Sequence, residues 1–389
     1  MPEADTTNVA NAASPDSQSL QLRHRVLDQL KSAFVGKDEI IDLLGVCLVA
    51  GENLFLLGPP GTAKSALVQF LAKRIDGQFF DYLLTRFTEP NELFGPFDIR
   101  RLREGELVTN FQGMLPEADF VFLDELLNAN SAILNSLLMA LNERVFRRGR
   151  ESVAINSLMF VGASNHLPED DALGALFDRF LVRVECNNVE TEKLGAVLQA
   201  GWQLQSQQEI ENTYSVDEIR KLQSMLINVD MTAVQEPLIE LVSRLRDAGI
   251  DISDRRAVKL QRLLAASAVL CGRDKCITSD IWIARYIWNT LEQSQVIRPV
   301  VDEIIDKSEA EPSSDHPRSR EHQPPNAEHI ATQLKTLESL VLDSPESATK
   351  VKDQLTLLSA QIQWLQNEVA REQLSEHVDK IWKQVNGNE

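Results

Sequence analysis

The stretch Gly58-Pro59-Pro60-Gly61-Thr62-Ala63-Lys64-Ser65-Ala66 combines a permissive backbone with one ammonium and one hydroxyl. A loop of this kind can turn successive backbone N–H groups inward around phosphate oxygens, while the helix that follows presents its positive end to them. Lys64 is long enough to reach the β- and γ-phosphates, and Ser65 can hold Mg²⁺. The pattern G-x-x-x-x-G-K-[ST] is nearly met, but Ala63 stands where the second glycine is expected. That position opens a helix, so ordinary helical dihedrals are expected there and a methyl group should fit.

Four further groups suit the same chemistry. In Phe-Val-Phe-Leu-Asp-Glu, an apolar strand delivers Asp124 and Glu125 at its end. Asp124 can organise Mg²⁺ through water, and the Glu125 carboxylate can polarise an attacking water. A second apolar run, Leu-Met-Phe-Val-Gly-Ala-Ser-Asn, ends at Asn165. Its amide could orient that water or touch the γ-phosphate, or simply cap a turn. Arg179 in Ala-Leu-Phe-Asp-Arg-Phe could reach a γ-phosphate from outside and stabilise spreading negative charge. Arg255 and Arg256 open a helix in Ile-Ser-Asp-Arg-Arg-Ala-Val-Lys-Leu.

The elements that must hold these groups alternate. Apolar runs at 54–57, 79–84, 120–123, 158–163 and 180–184 read as strands, with helical stretches from about Lys64 and over 131–143 between them. Continuous apolar runs suit strands covered on both faces, and strands alternating with helices imply a parallel α/β sheet. Residues 21–50 look helical, with a turn at Val35-Gly36-Lys37. The expected organisation is a disordered tail over 1–20, an α/β nucleotide-binding core over 21–188 and an all-helical region over 189–306. A Pro/Ser-rich linker over 307–326 and a C-terminal helical hairpin or coiled coil over 327–389 follow. In the hairpin, Ile330, Leu334, Leu337 and Val341 precede a break at Asp343-Ser344-Pro345. Val351, Leu355, Leu358, Ile362, Leu365 and Val369 then step by four and three, as an a/d seam does. Such a seam can dock on its own chain or take a partner.

Composition narrows the class. Among 389 residues, 43% are hydrophobic and 25% charged, as in ordinary soluble domains. No apolar run nears the roughly 20 residues of a membrane span, and the first residues lack the features of a signal peptide. Cys47, Cys186, Cys271 and Cys276 form no C-x-x-C pair and are read as free thiols in a reducing cytosol. His316 and His322 lack metal-ligand spacing. A net charge of −19 counts against nucleic-acid binding, which needs Lys and Arg on phosphates.

The order GPPGTAKS, FLDE, GASN, FDRF, SDRR resembles the MoxR family of AAA+ ATPases. The strings LLTRFTEPNELFGP, GMLPEADFVFLDELLNANSAILNSLLMALNERVFRRG and LCGRDKCITSDI look like its RavA-type branch. The resemblance covers about residues 22–300. It implies an AAA+ P-loop core followed by a helical lid, and hydrolysis of ATP to ADP with Mg²⁺ at Ser65 and Asp124. It implies Glu125 as catalytic base, Asn165 as first sensor and Arg179 as a finger acting on a neighbouring subunit's ATP. Arg255 is implied as second sensor, because it lies 18 residues before Arg273. Arg256 is the alternative. Val35 and Gly36 match the segment that lines adenine.

The finger implies a homo-hexamer. The resemblance also implies a chaperone-like remodelling or assembly factor that works with a von Willebrand A-domain protein on an unknown client. Inserts are expected at about 88–112 and 144–157. They carry Arg100, Arg101 and Arg103, and Arg144, Arg147, Arg148 and Arg150, which read either as contacts for an acidic client or as solvated loop tips. The C-terminal part does not match the accessory region of the RavA-type branch. A nucleic-acid motor and a non-hydrolysing scaffold are the competing classes. The chain's acidity opposes the first, and the base and finger oppose the second.

Overall fold

A computed structural model describes residues 15–168, 171–206, 214–308, 315–320 and 327–343, and from 351 to 387 all but 353, 356, 357, 360, 361 and 363–367. Contacts divide the chain into two compact units. The first holds the chain up to Phe180, Val184–Met231 and Arg262–Cys276, and the second holds Leu181–Arg183, Thr232–Gln261 and the chain from Ile277 onward.

The sheet holds β1 (Leu54–Leu57), β2 (Phe79–Leu83), β3 (Phe120–Asp124), β6 (Met159–Ser164) and β7 (Val182–Glu185), in the order β2-β3-β6-β1-β7, and all of it but Val182 and Arg183 belongs to the first unit. The pairs β1–β6, β2–β3 and β3–β6 are parallel. β1 and β6 are buried along their whole length, which is why both read as unbroken apolar runs. β2, at one edge, is only half-buried. The last strand starts later than its apolar run: Phe180 is not in it but packs edge-to-face on Phe55 at 5.8 Å.

Helices α1 (Pro15–Leu22) and α2 (Asp28–Ala33) are joined by a π turn, and α3 (Asp38–Ala50) follows. The expected disordered tail is therefore too long. Pro15 opens a helix, a place where its missing N–H costs nothing, and Ser19 and Leu22 are fully buried. α3 is buried over Ile40–Ala50, and Asp42, the one charged residue in that span, pairs with Lys31 at 2.6 Å. α4 (Lys64–Arg74), α5 (Pro90–Phe94), α6 (Ile99–Arg103), α7 (Ser131–Glu143) and α8 (Asp171–Phe177) lie between the strands, and α9 (Leu194–Ser206) and α10 (Val216–Met225) follow β7.

The two inserts form one body. Hairpin strands β4 (Val145–Arg148) and β5 (Glu151–Ala154) pair antiparallel. Phe146 stacks on Phe94 at 4.3 Å, and the Arg148 guanidinium lies 3.8 Å over the Phe97 ring. Glu151 accepts from the Thr109 N–H and hydroxyl at 3.0 and 2.6 Å. Two of the arginines read as loop-tip charges thus point inward. Arg148 donates to Gly95 O at 3.0 Å, and Arg144 lies 4.6 Å over the Phe160 ring and donates to Asn53 Oδ1 at 3.0 Å. Burial pulls the Arg144 pKa down to about 10, opposed by the nearby Glu52 carboxylate.

The second unit contains α11 (Thr232–Asp247), the start of α12 (Asp254–Leu270), a 3₁₀ stretch (Thr278–Tyr286) and α13 (Leu291–Asp306). Part of the expected linker is docked here. His316 stacks on Trp282 at 4.5 Å, and Arg285 donates to the carbonyls of Arg318 and Ser319 at 2.7 Å each. A buried arginine with two carbonyls to satisfy holds this piece, whatever its Pro/Ser content. His322 lies outside the described residues.

At the C-terminus, α14 (Ala327–Asp343), helical residues of 351–362 and the helix Glu368–Gly387 share one core. Val351, Leu355, Leu358 and Ile362 pack there with Ile330, Leu334 and Leu337, and with Leu374, Val378, Ile381 and Val385. These four seam positions are therefore buried in their own chain, and a third helix joins the expected hairpin. The side chains of Val341 and Val369, and Leu365 entirely, lie outside the described set. Among the described residues there is no helix long and apolar enough to cross a membrane, and the four cysteines form no disulfide.

Candidate functional site

The phosphate-loop candidate leaves the end of β1 and runs into α4. Gly58 is wedged against the chain after β7: a Cβ there would come within 2.3 Å of Cys186 O. Gly61 has φ +81°, and a Cβ on it would meet open space. Thr62 closes the loop by donating to Pro59 O at 3.0 Å. Lys64 is buried, and its Nζ donates to Gly58 O and Pro59 O at 2.8 Å each. Pro59, Pro60, Gly61, Ala63, Ser65 and Ala66 line the exposed rim.

Ala63 departs from expectation. It has φ 65°, ψ 25°, in the left-handed region, and not the helical dihedrals expected of a helix start. The helix begins only at Lys64, so the turn before it needs the conformation that glycine would adopt freely.

The parallel register brings three sequence-distant groups to one edge of the sheet. Leu57 pairs with Ser164, and Gly58 N donates to Ser164 O at 2.9 Å, so the loop starts beside the end of β6. Asn165 is exposed just past that end. On the other side of β6, β3 ends at Asp124, whose Oδ1 accepts from Glu125 N at 3.0 Å. One strand separates the loop from Asp124, a gap of about 10 Å. This carboxyl edge is where open α/β sheets bind ligands. Glu125 has φ 50°, a left-handed backbone for a bulky residue, and such strain concentrates at functional positions.

Arg179 lies elsewhere. Its carbonyl accepts from Asn53 Nδ2 at 3.1 Å, and Asn53 precedes β1. Arg179 therefore sits at the opposite end of β1 from Gly58, roughly 13 Å of strand away. Its side chain is partly buried, 3.8 Å from Asp178. Val35 and Gly36 form the turn before α3, and Gly36, with φ 77°, faces Val189. In the second unit Arg255 is exposed, whereas Arg256 is 5% exposed and donates to Ile287 O and to Asn289 Oδ1.

The donor set fits a nucleotide with Mg²⁺. No side chain caps α4, so its first-turn N–H groups are left for an anion. The Ser65 hydroxyl and the Asp124 carboxylate are hard oxygen ligands of the kind Mg²⁺ takes one or two at a time, beside phosphates and water. Among the described residues there is no cluster of three or more His, Cys, Asp or Glu that would hold a metal by itself. Sequence reading passed over Lys37, although it follows directly on Val35-Gly36. Its burial beside the loop is visible only in three dimensions.

Comparison with known proteins agrees with this fold. Residues 20–224 match the model of the MoxR domain in the MoxR-vWA-beta-propeller ternary systems, and 233–301 match an AAA lid domain. Two uncharacterized proteins of Methanocaldococcus jannaschii are similar. One is 35% identical over 68% of this chain and 71% of its own, and the other 34% identical over 75% and 76%. The chaperone MoxR1 of Mycobacterium tuberculosis is 27% identical over 41% of this chain and 43% of its own. A crystal structure from Cytophaga hutchinsonii, provisionally described as an ATPase, shares the fold, with a TM-score of 0.61 at 21% identity over 76% of this chain and 97% of that one. A parallel sheet bearing the phosphate loop, and family models matched in order along the chain, make this protein a member of the MoxR family of AAA+ ATPases.

Proposed function

We propose that the protein hydrolyses ATP and uses the cycle to remodel or assemble partner proteins. The phosphate loop, Asp124–Glu125 and Asn165 converge on one edge of the sheet, and this convergence carries the reading. Lys64, now bonded to loop carbonyls, would turn to the outer phosphates. Ser65 and Asp124 would hold Mg²⁺, which supplies charge neutralisation at those phosphates. Glu125 would take the proton of the attacking water, and Asn165 would orient that water.

Arg179 at the far end of β1 supports action on a neighbouring copy, since its own site lies a strand length away. A ring then follows, and we read it as a homo-hexamer in the cytoplasm. Arg255 is the better candidate for second sensor, by its spacing of 18 residues from Arg273 and because it is exposed whereas Arg256 is buried. A von Willebrand A-domain partner is supported by the description of the matched family. Within the family, the quoted strings favour the RavA-type branch.

The test is Glu125→Gln. ATP turnover should fall by about a hundredfold or more, the scale of losing a general base, while ATP binding persists. Unchanged phosphate release would sink the proposal.

A further inference from the structure

Lys37 has no role in the site described above, yet it is only 7% exposed. Its Nζ donates to Asn187 O at 2.5 Å and to Cys186 Sγ at 3.7 Å. Among the described residues it makes no ion pair. Cys186 is itself 2% exposed, and its thiol donates onward to Thr62 O, in the phosphate loop, at 3.7 Å. The Cys186 N–H donates to Leu57 O at 2.7 Å, just before the loop begins. Gly36 completes the join: a Cβ there would come within 3.0 Å of Val189 Cγ1. One buried ammonium thus ties the Val35–Lys37 turn to residues 186–189, and one thiol ties those residues to the loop.

Burying an ammonium without a counter-charge is costly, and an apolar side chain of equal length would avoid that cost while leaving the carbonyl of the exposed Asn187 to water. The ammonium does what an apolar chain cannot, since it directs the turn to one carbonyl and one sulfur. We propose that Lys37 is a positioning residue for the nucleotide base, holding the Val35–Gly36 turn in register with the phosphate loop. This rests on the reading of the loop as a nucleotide site and of Val35–Gly36 as the wall beside the base.

The test compares ATP with inorganic tripolyphosphate, which has no base, on the full chain by calorimetry. Lys37→Met keeps the stem and removes the charge. A hydrogen bond to a charged group is worth enough that its loss should weaken ATP and ADP about tenfold or more. Tripolyphosphate affinity should stay near the parent value, and the melting temperature should not fall. Lys37→Gln, which can still donate to Asn187 O, should recover most of the ATP affinity. Should Lys37→Met not fold, Cys186→Ala tests the same link and should weaken ATP while sparing tripolyphosphate. Unchanged ATP affinity, or parallel loss of ATP and tripolyphosphate, overturns the proposal. If Lys64→Ala binds ATP as the parent does, the nucleotide site itself is misread, which is a separate failure.

Discussion

Arg183 and Arg256 donate to the same atom, Asn289 Oδ1, at 2.8 and 3.2 Å. Both are almost fully buried, and both also donate to carbonyls within Ile287–Trp288. Together they hold residues 287–289 of the second unit. Arg256→Ala removes one of the two donors to Ile287 O and to Asn289 Oδ1 and empties a buried site, and should destabilise the chain by about 1–3 kcal/mol, read as a lower melting temperature. Arg255→Ala, at an exposed position, should leave stability within about 0.5 kcal/mol and slow ATP turnover. Normal turnover by Arg255→Ala would remove it from the sensor role.

Ala63 offers a test of backbone strain. An L-residue in the left-handed region carries about 1–2 kcal/mol, and glycine there returns up to about 1 kcal/mol through unfolded-chain entropy. Ala63→Gly should therefore leave stability unchanged or raise it by up to about 1 kcal/mol, with nucleotide affinity retained. Clear destabilisation in a urea titration would contradict the observed φ of 65°.

Two arginines of one hairpin region should behave oppositely. Arg144→Ala removes the partner of Asn53 Oδ1, itself on a residue 2% exposed, and strips the Phe160 face. The expected loss is about 2–4 kcal/mol. Arg147 pairs with Glu143 at 3.1 Å in the open, with both side chains more than half exposed. Its replacement by Ala should cost under about 0.5 kcal/mol. Thermal melts of the two variants settle the contrast, and equal effects would refute it.

Acid should loosen the C-terminal bundle. Lys380 foremost, then His377, holds the Glu338 carboxyl below the usual glutamate range. A depressed carboxyl pKa contributes stability that is complete above the unfolded value of 4.5 and is lost as pH falls through the folded one. Hydrogen-exchange protection of Glu368–Gly387, corrected for intrinsic rate, should drop below that range. Glu338→Gln should flatten the drop, and an identical acid profile in the variant would exclude this carboxyl as the cause.

The candidate site was readable in the chain because the pattern that marks it is local. Gly58–Ser65, Asp124–Glu125 and Asn165 each sit at the end of a run of buried residues, and double-sided burial writes a parallel strand as an unbroken apolar string. Charge was a poorer guide. Arg100, Arg144 and Arg148 look alike as letters, yet the first is exposed while the others lie over Phe160 and Phe97. Low-complexity composition misled in the same way at His316–Ser319, where Trp282 and Arg285 supply the partners.

The sequence by itself determined the candidate phosphate-binding residues and their order, and that strands and helices must alternate around them. Periodicity and strand-end position depend only on near neighbours. The tertiary structure alone decided the order β2-β3-β6-β1-β7, which puts Asp124 one strand from the loop and Arg179 at the other end of β1. It also decided the left-handed turn at Ala63, the burial of Arg256 beside an exposed Arg255, and the bracket of Lys37 and Cys186. Each of these is set by a contact or a backbone path between residues far apart in the chain, and a local pattern of residue types holds no record of such contacts.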